Sequence, residues 1–463
     1  MRGCLWRCVG VMASLLILGF FIRVSEAARA KHSTTLSEKM RIIQRVAQEQ
    51  ISSEMKNHLK YFTKMQKNPH ALQDANYTLL AGTSLQGKWM LTVGISSMQR
   101  TGGSYLLDTL KSLFQASSEQ DLEYMLVLVL LSDTDPNWLN QTVANISGLF
   151  LPHIESGRLA VVHGLLGDSL AKSRNCTSPC GELYSKQKTS FVLLMNFVSN
   201  LSEYFLLLGD NVKCAPRFMS NIYWAVSAWK ELPWVALDFS SMKIFGKVFH
   251  TRDLPRLASF LLLFPEDTPT HLLLSEFSLL LSQNVPIHFS FSIFYPMGYS
   301  EAEDSCFPVP QDKDLGEPDN PVATVFTDML SFWDTIPQYA YVLNDDCLWV
   351  INPIQGNYLL VVLDEPQKVI RVAVLTGFSQ NRMNYLQQAQ VLLGYALMDY
   401  PKRCAHYTLV GPLVRGQLDQ MVFYEEDSVK KISCIKLLVT AAHDSPIKIV
   451  QIRVWTEVQE EER

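Results

Sequence analysis

The chain has 463 residues, 48% of them hydrophobic and 18% charged, with a formal net charge of −5. At about 100–200 residues per domain, this suits two or three domains with ample apolar material for a core, and it excludes a disordered chain. No basic tract or Lys/Arg-rich stripe suits a phosphate backbone, so nucleic acid is not expected as a partner.

The N-terminus opens with Arg2 and Arg7, an apolar run over 8–22, and Arg23. The run is shorter than the roughly 20 residues that usually span a bilayer. Two readings stand: a signal peptide cleaved near Ser25-Glu26-Ala27, or a short signal-anchor with its basic flank in the cytosol. Cys4, just before this run, and Cys8, its first residue, are candidate palmitoylation sites. Over residues 33–66, Thr35-Leu36-Ser37-Glu38 has the form of a capping box. Leu36, Met40, Ile43, Ala47, Ile51, Met55, Leu59 and Phe62 recur at helical spacing, so a helix is expected. Its apolar stripe suits either a partner helix or packing on its own domain. Residues 67–86 read as a connector.

A second regime begins near Gly87. Trp89–Ile95 is a predicted strand, and Ser104–Phe114 a predicted helix with Leu106, Leu107, Leu110 and Leu113 inward. The apolar runs Tyr124–Leu131, Leu159–Val162 and Tyr204–Leu208 are predicted strands, with a helix over Thr189–Val198. Strands apolar on both faces and alternating with helices indicate a mostly parallel sheet of nucleotide-binding type. Asn76, Asn140, Asn145, Asn175 and Asn200 each open an N-x-[ST] sequon, and five within residues 76–202 point to the secretory route. Of nine cysteines, Cys176 and Cys180 bracket Thr177-Ser178-Pro179 and are candidates to close a small disulfide loop.

A third regime begins at Asp319, after a Pro-rich and acidic stretch. Leu348–Ile351, Tyr358–Leu363, Val369–Leu375, His406–Val410, Ile432–Thr440 and Lys448–Trp455 are short, rich in Val, Ile, Leu and Tyr, and separated in places by turn residues. They predict a β-sandwich, an architecture often used for carbohydrate.

Three blocks carry a family resemblance. The first is Leu91-Thr92-Val93-Gly94-Ile95-Ser96-Ser97-Met98-Gln99-Arg100 with Ser104–Leu110. The second is Leu237-Asp238-Phe239-Ser240, then Phe245-Gly246-Lys247-Val248-Phe249, Asp253-Leu254 and Phe260–Phe264. The third is Trp349–Tyr358. In this order the chain resembles the N-acetylglucosaminyltransferase IV family, which adds β-1,4-linked GlcNAc from UDP-GlcNAc to the α-1,3-mannose arm of N-glycans. The resemblance implies a cytosolic tail (1–7), a signal-anchor (8–22), a stem (23–85), an α/β GT-A type glycosyltransferase domain (86–318) and a β-sandwich lectin-like domain (319–463). It also implies a single-pass type II protein of the Golgi membrane, the alternative being secretion after cleavage near Ala27.

Transfer from a sugar nucleotide makes diphosphate the leaving group, and a divalent cation on carboxylates is the usual means of neutralising it. The resemblance implies Mn²⁺ or a similar ion on an acidic triplet, Glu-Asp-Asp. Here the strand Tyr204–Leu208 runs into Gly209-Asp210-Asn211, so one carboxylate of three remains. A plain turn after a strand is the alternative for these three residues. Pro296 stands where the resemblance implies a histidine, and Pro can neither ligate nor donate. Gly94, Lys186 and Gln187 match the implied nucleotide-sugar site, while Lys188 and Ser190 depart from it. Lys186 is also readable as an exposed charge near a helix start. Asp238 is the candidate general base, in place of a Glu in the family, the alternative being a carboxylate that caps or pairs locally. Three functions follow: a weak or inactive N-acetylglucosaminyltransferase-like protein of N-glycan branching, an inactive regulator of other Golgi N-acetylglucosaminyltransferases, and a glycan-binding lectin-like protein.

Overall fold

The computed structural model describes residues 75–83, 89–99, 105–166, 179–265, 268–289, 292–298, 315–332, 334–377, 384–398, 402–424 and 431–457. The first part holds strands β1 (Asn76–Ala81), β2 (Trp89–Ser97), β3 (Met125–Leu131), β4 (Leu159–Leu165), β5 (Ser202–Gly209), β6 (Val212–Cys214), β7 (Ala236–Asp238), β8 (Lys247–His250), β9 (Ile287–His288) and β10 (Phe294–Pro296). Its helices are α1 (Leu106–Ala116), α2 (Glu119–Leu122), α3 (Pro136–Glu155), α4 (Pro179–Val198), α5 (Phe218–Ala228), α6 (Leu254–Leu261) and α7 (Thr270–Leu280).

Eight strands form one sheet in the order β1-β4-β3-β2-β5-β8-β7-β9. Strands β4, β3, β2 and β5 are parallel, and β8 runs against both β5 and β7. All seven residues of β3 are buried, which is why its sequence is one unbroken apolar run. Because side chains alternate across a strand, β2 sends Leu91, Val93 and Ile95 to the core shared with α1, and turns Gly94 toward Leu194 of α4. A two-stranded ribbon, β6 with β10, continues directly from the β5 terminus.

The described residues of the C-terminal part form β-strands and one 3-10 turn, Pro337–Ala340. Strands β11 (Ala323–Thr327), β12 (Leu348–Val350), β13 (Tyr358–Gln367), β14 (Val369–Thr376), β15 (Ala389–Met398), β16 (Arg403–Pro412), β17 (Gln417–Met421), β18 (Ile432–Val439) and β19 (Ile447–Thr456) form two sheets. Their orders are β11-β13-β18-β15-β16 and β12-β19-β14-β17, and they enclose a second apolar core. A disulfide joins Cys404 of β16 to Cys434 of β18 across the intervening strand β15, passing over Gly394. Cys180 is also disulfide-bonded, whereas Cys214 and Cys347 are free. The two parts meet where Phe289 bridges Gln420 and Arg415 lies 5.2 Å over the ring of Trp224.

Several expectations need correction. Residues 76–81, read as connector and stem, are a strand at the sheet edge, paired antiparallel with β4. The segment lacks a long apolar run because an edge strand is only half covered: Asn76, Thr78 and Leu79 are exposed. Strands β11, β15 and β17 were not foreseen. Among the described residues no helix is long and apolar enough to cross a membrane. The two 20-residue helices, α3 and α4, carry polar residues along their length. The single-pass type II placement in the Golgi membrane is therefore not upheld. The run at 8–22, the helix at 33–66, Asn175 and Cys176 lie outside the described residues. Asn76, Asn140, Asn145 and Asn200 are exposed.

Four histidines have pKa values lowered by burial: His153, stacked on Phe114 at 3.8 Å, His250, stacked on Trp234 at 3.9 Å, and His271 and His443. Positive neighbours add to this at three of them: Arg158 at His153, Arg252 at His250, and Lys243 with Lys247 at His271. A histidine with a lowered folded pKa favours the neutral fold. Its contribution is complete above the unfolded value of about 6.5 and is lost as pH falls from there through the folded value. The melting midpoint is expected to drop as pH is taken from 7.5 to 5, a trend checked by calorimetry in buffers of equal ionic strength. A midpoint flat across that interval would contradict the assignment.

Candidate functional site

In an open parallel sheet, ligands bind beyond the carboxyl ends of the strands. Here that edge is formed by the ends of β2, β3 and β5. Asp210 follows β5 and is 2% exposed. Its Oδ2 accepts a hydrogen bond from the Ser97 hydroxyl at 2.7 Å, which ties the end of β5 to the end of β2. The backbone beside it is held by Thr109 of α1. Thr109 Oγ1 donates to the Asp210 carbonyl at 2.8 Å and accepts from the Val212 amide at 3.1 Å. One turn along α1, Ser112 Oγ accepts from the Cys214 amide at 2.9 Å. The Gly209-Asp210-Asn211 turn is thus clamped to α1 and β2 from below.

The loop containing Pro296 closes on the same turn. Pro296 pairs with Val212, and the Met297 amide donates to the Asn211 carbonyl at 2.6 Å. Gly298, at φ +66°, leaves room for the Tyr105 ring, whose hydroxyl would stand 2.2 Å from a Cβ there. The sequence blocks 105–114, 209–211 and 292–298 are therefore neighbours in space. At the end of β3, the Asp133 carboxylate accepts from the backbone amides of Gln99, Thr134 and Asp135 at 2.7–3.1 Å. It fastens the β2 and β3 termini together and is committed to that task.

Of the three residues matched to the nucleotide sugar, Gly94 does not reach the edge. A Cβ on it would lie 2.3 Å from the Phe205 ring and 3.0 Å from Leu194, so its lack of a side chain serves helix–sheet packing. Lys186 is exposed and pairs with Glu182 at 2.8 Å, one turn earlier on α4. Gln187 has a buried Oε1 without a hydrogen-bond partner. The departure at Lys188 has a structural use: its buried ammonium donates to the Phe264 carbonyl at 3.2 Å and to the Pro265 carbonyl, just past α6.

Asp238 ends β7 and faces Lys247 across the β7–β8 ladder. Lys247 donates to its Oδ2 at 2.5 Å, and the pair is largely buried, at 15% and 13% side-chain exposure. Oδ1 is buried and has no partner. One carboxylate oxygen is thus held by an ammonium and the other is sealed from solvent. A base role would need this pair to open toward an acceptor.

The donors do not fit a divalent cation. Gly209 offers no side chain, the Asp210 carboxylate is buried on Ser97, and Asn211 contributes only a neutral amide. Among the described residues no group of three or more His, Cys, Asp or Glu side chains could hold a metal ion. A hard dication needs several oxygen ligands, preferably charged.

Ser97, Thr109 and Asp133 were missed in the sequence. Thr109 did leave a signal, a polar residue inside the apolar stripe of α1. Ser97 and Asp133 show only as polar residues at the ends of apolar strands.

A family profile described as "MGAT4 conserved region" matches residues 53–314. The mouse "Alpha-1,3-mannosyl-glycoprotein 4-beta-N-acetylglucosaminyltransferase-like protein MGAT4E" is 40% identical over 370 residues, covering 79% of this chain and 83% of that protein. The chicken "Alpha-1,6-mannosyl-glycoprotein 4-beta-N-acetylglucosaminyltransferase" is 36% identical over 396 residues, covering 83% and 85%. The "Alpha-1,3-mannosyl-glycoprotein 4-beta-N-acetylglucosaminyltransferase C" of Macaca fascicularis is 32% identical over 395 residues, covering 83% and 82%. Among solved structures, a lectin domain of lectinolysin complexed with Lewis B antigen matches 30% of this chain and 96% of its own, at 14% identity and a TM-score of 0.24, too slight a likeness to build on.

Proposed function

The chain belongs to the MGAT4 family, and from that premise we propose that it is a glycosyltransferase-like protein of N-glycan branching with weak or absent catalysis. The ligands of this reading are UDP-GlcNAc and the mannose arms of an N-linked glycan. Its catalytic domain is of GT-A type. In support, a parallel β4-β3-β2-β5 core is followed by the reversed strand β8 between β5 and β7, with an Asp-containing turn directly after β5. The observation that carries the weak-catalysis part is the state of the carboxylates. Asp210 is engaged by Ser97, Asp133 by three backbone amides, and Asp238 by Lys247.

Among the described residues, developing charge on a diphosphate leaving group would meet no free carboxylate–metal pair, and an acceptor hydroxyl would meet no open base. Asp238 remains the candidate base, reached only if Lys247 lets go.

The test is a transfer assay with the full chain, UDP-GlcNAc and a biantennary N-glycan, with donor and glycan binding measured by calorimetry. Binding of either ligand is expected, with transfer at least 10²-fold below an active family member run beside it, the size of a lost general base or charge stabiliser. Binding of neither would sink the reading. Transfer at a rate equal to that of the active relative would sink the weak-catalysis part. If the chain instead bound another N-acetylglucosaminyltransferase and changed its rate, the regulator reading would take over.

A further inference from the structure

The position before Asp210 is more than an absent side chain. The chain between β7 and β8 folds back at Gly246, at φ +80°, whose amide donates to the Leu207 carbonyl and whose carbonyl accepts from the Phe239 amide, both at 2.9 Å. A Cβ on Gly246 would stand 2.6 Å from Ser240, so this bend needs glycine. The bend carries Phe245 over the end of β5. A Cβ on Gly209 would lie 2.8 and 2.9 Å from the Phe245 ring, and 3.0 Å from Asn211 Oδ1. Phe245 is itself braced, edge-on to Phe191 of α4 at 6.0 Å between ring centres. The ring therefore cannot swing toward α4 without displacing a second aromatic that is 2% exposed.

We infer that Phe245 closes the cation position: its ring fills the space that a ligating side chain at 209 would need, so this chain takes up no divalent cation at the turn and binds a nucleotide sugar, where it binds one, without metal. The inference rests on the transferase-like reading for the identity of the nucleotide sugar. The steric closure itself does not depend on that reading. A consequence is that restoring carboxylates is not enough. A Gly209→Glu side chain would still meet the ring, and the site opens only when Phe245 is shortened as well.

The test uses the full chain and Mn²⁺ alone, its free concentration followed by electron paramagnetic resonance. Three proteins are compared: the unaltered chain, Gly209→Glu/Asn211→Asp, and the same pair with Phe245→Ala. The first two are expected to leave the Mn²⁺ signal unchanged, and the third to bind at least tenfold more tightly. Mn²⁺ uptake by the unaltered chain, uptake by the double variant equal to that of the triple, or no uptake by a folded triple variant would each overturn the inference.

A second cycle needs no metal. Gly209→Ala should lower the melting midpoint by several degrees beside Phe245, and by much less beside Phe245→Ala. Equal losses in both backgrounds would overturn the steric closure. UDP-GlcNAc binding, measured with and without Mn²⁺, separates the two claims. Absence of donor binding in both conditions counts against the transferase-like reading, while binding that strengthens with Mn²⁺ counts against the closed site.

Discussion

Replacing Gly94 by alanine is expected to destabilise the chain by about 3 kcal/mol, at the upper end of what an overpacked core position usually costs. The added methyl would stand 2.3 Å from one Phe205 ring carbon, 2.7 Å from the next and 3.0 Å from a Leu194 methyl. None of these can retreat easily. Phe205 is fully buried on β5, and Leu194 is fully buried on α4. Gly94→Val, with two more methyls, should leave the α/β part unfolded. The methyl clash should be relieved in part by Phe205→Leu, which shortens the obstructing ring. Urea unfolding of Gly94→Ala, alone and with Phe205→Leu, checks both. An unchanged midpoint combined with lost UDP-GlcNAc binding would return Gly94 to the nucleotide site.

Removing the Cys404–Cys434 disulfide by changing both residues to alanine should cost about 3.5 kcal/mol, from the loop closed by a sequence separation of 30. The bond spans a three-strand stretch of sheet, since β15 lies between β16 and β18. It passes so close to Gly394 that a Cβ there would be 2.6–2.9 Å from the two cysteines. Loss of the bond should therefore loosen β16, the edge strand, before it affects β13. Hydrogen exchange resolved by peptide gives the readout, with faster exchange in 403–412 as the expected result. Protection in that segment equal to that of the unaltered chain would mean that the ladder alone holds the edge.

What the amino-acid order alone makes legible follows from chemistry local to each segment. The run Met-Leu-Val-Leu-Val-Leu-Leu over 125–131 has one stable home, a strand covered on both faces, and it lies there. The inward leucines of α1 were legible because residues three and four apart share a face, and Leu106, Leu110 and Leu113 are buried. The β1 strand was not legible. An edge strand exposed on one flank carries no strong pattern, and its pairing with β4 joins residues 80 to 89 positions apart. The short strand β17 was lost for the same reason, with Gln417, Asp419 and Gln420 among its five residues.

The chemistry divides along the same line. By itself the sequence determined that an Asp and an Asn follow a buried strand, that Gly stands before them, and that Pro296 cannot ligate. Those are properties of residue type and need no partner. Only the tertiary structure decided what each remaining group is doing. Asp210 is spoken for by Ser97, 113 positions away, and Asp238 by Lys247 on the neighbouring strand. Lys186 turns to solvent while Lys188 turns inward, although only one residue separates them on the same helix. Phe245 lies against Gly209 because a glycine bend returns the chain across the end of β5. A side chain's availability depends on what the fold brings within about 3 Å of it, and that is set by pairings remote in sequence.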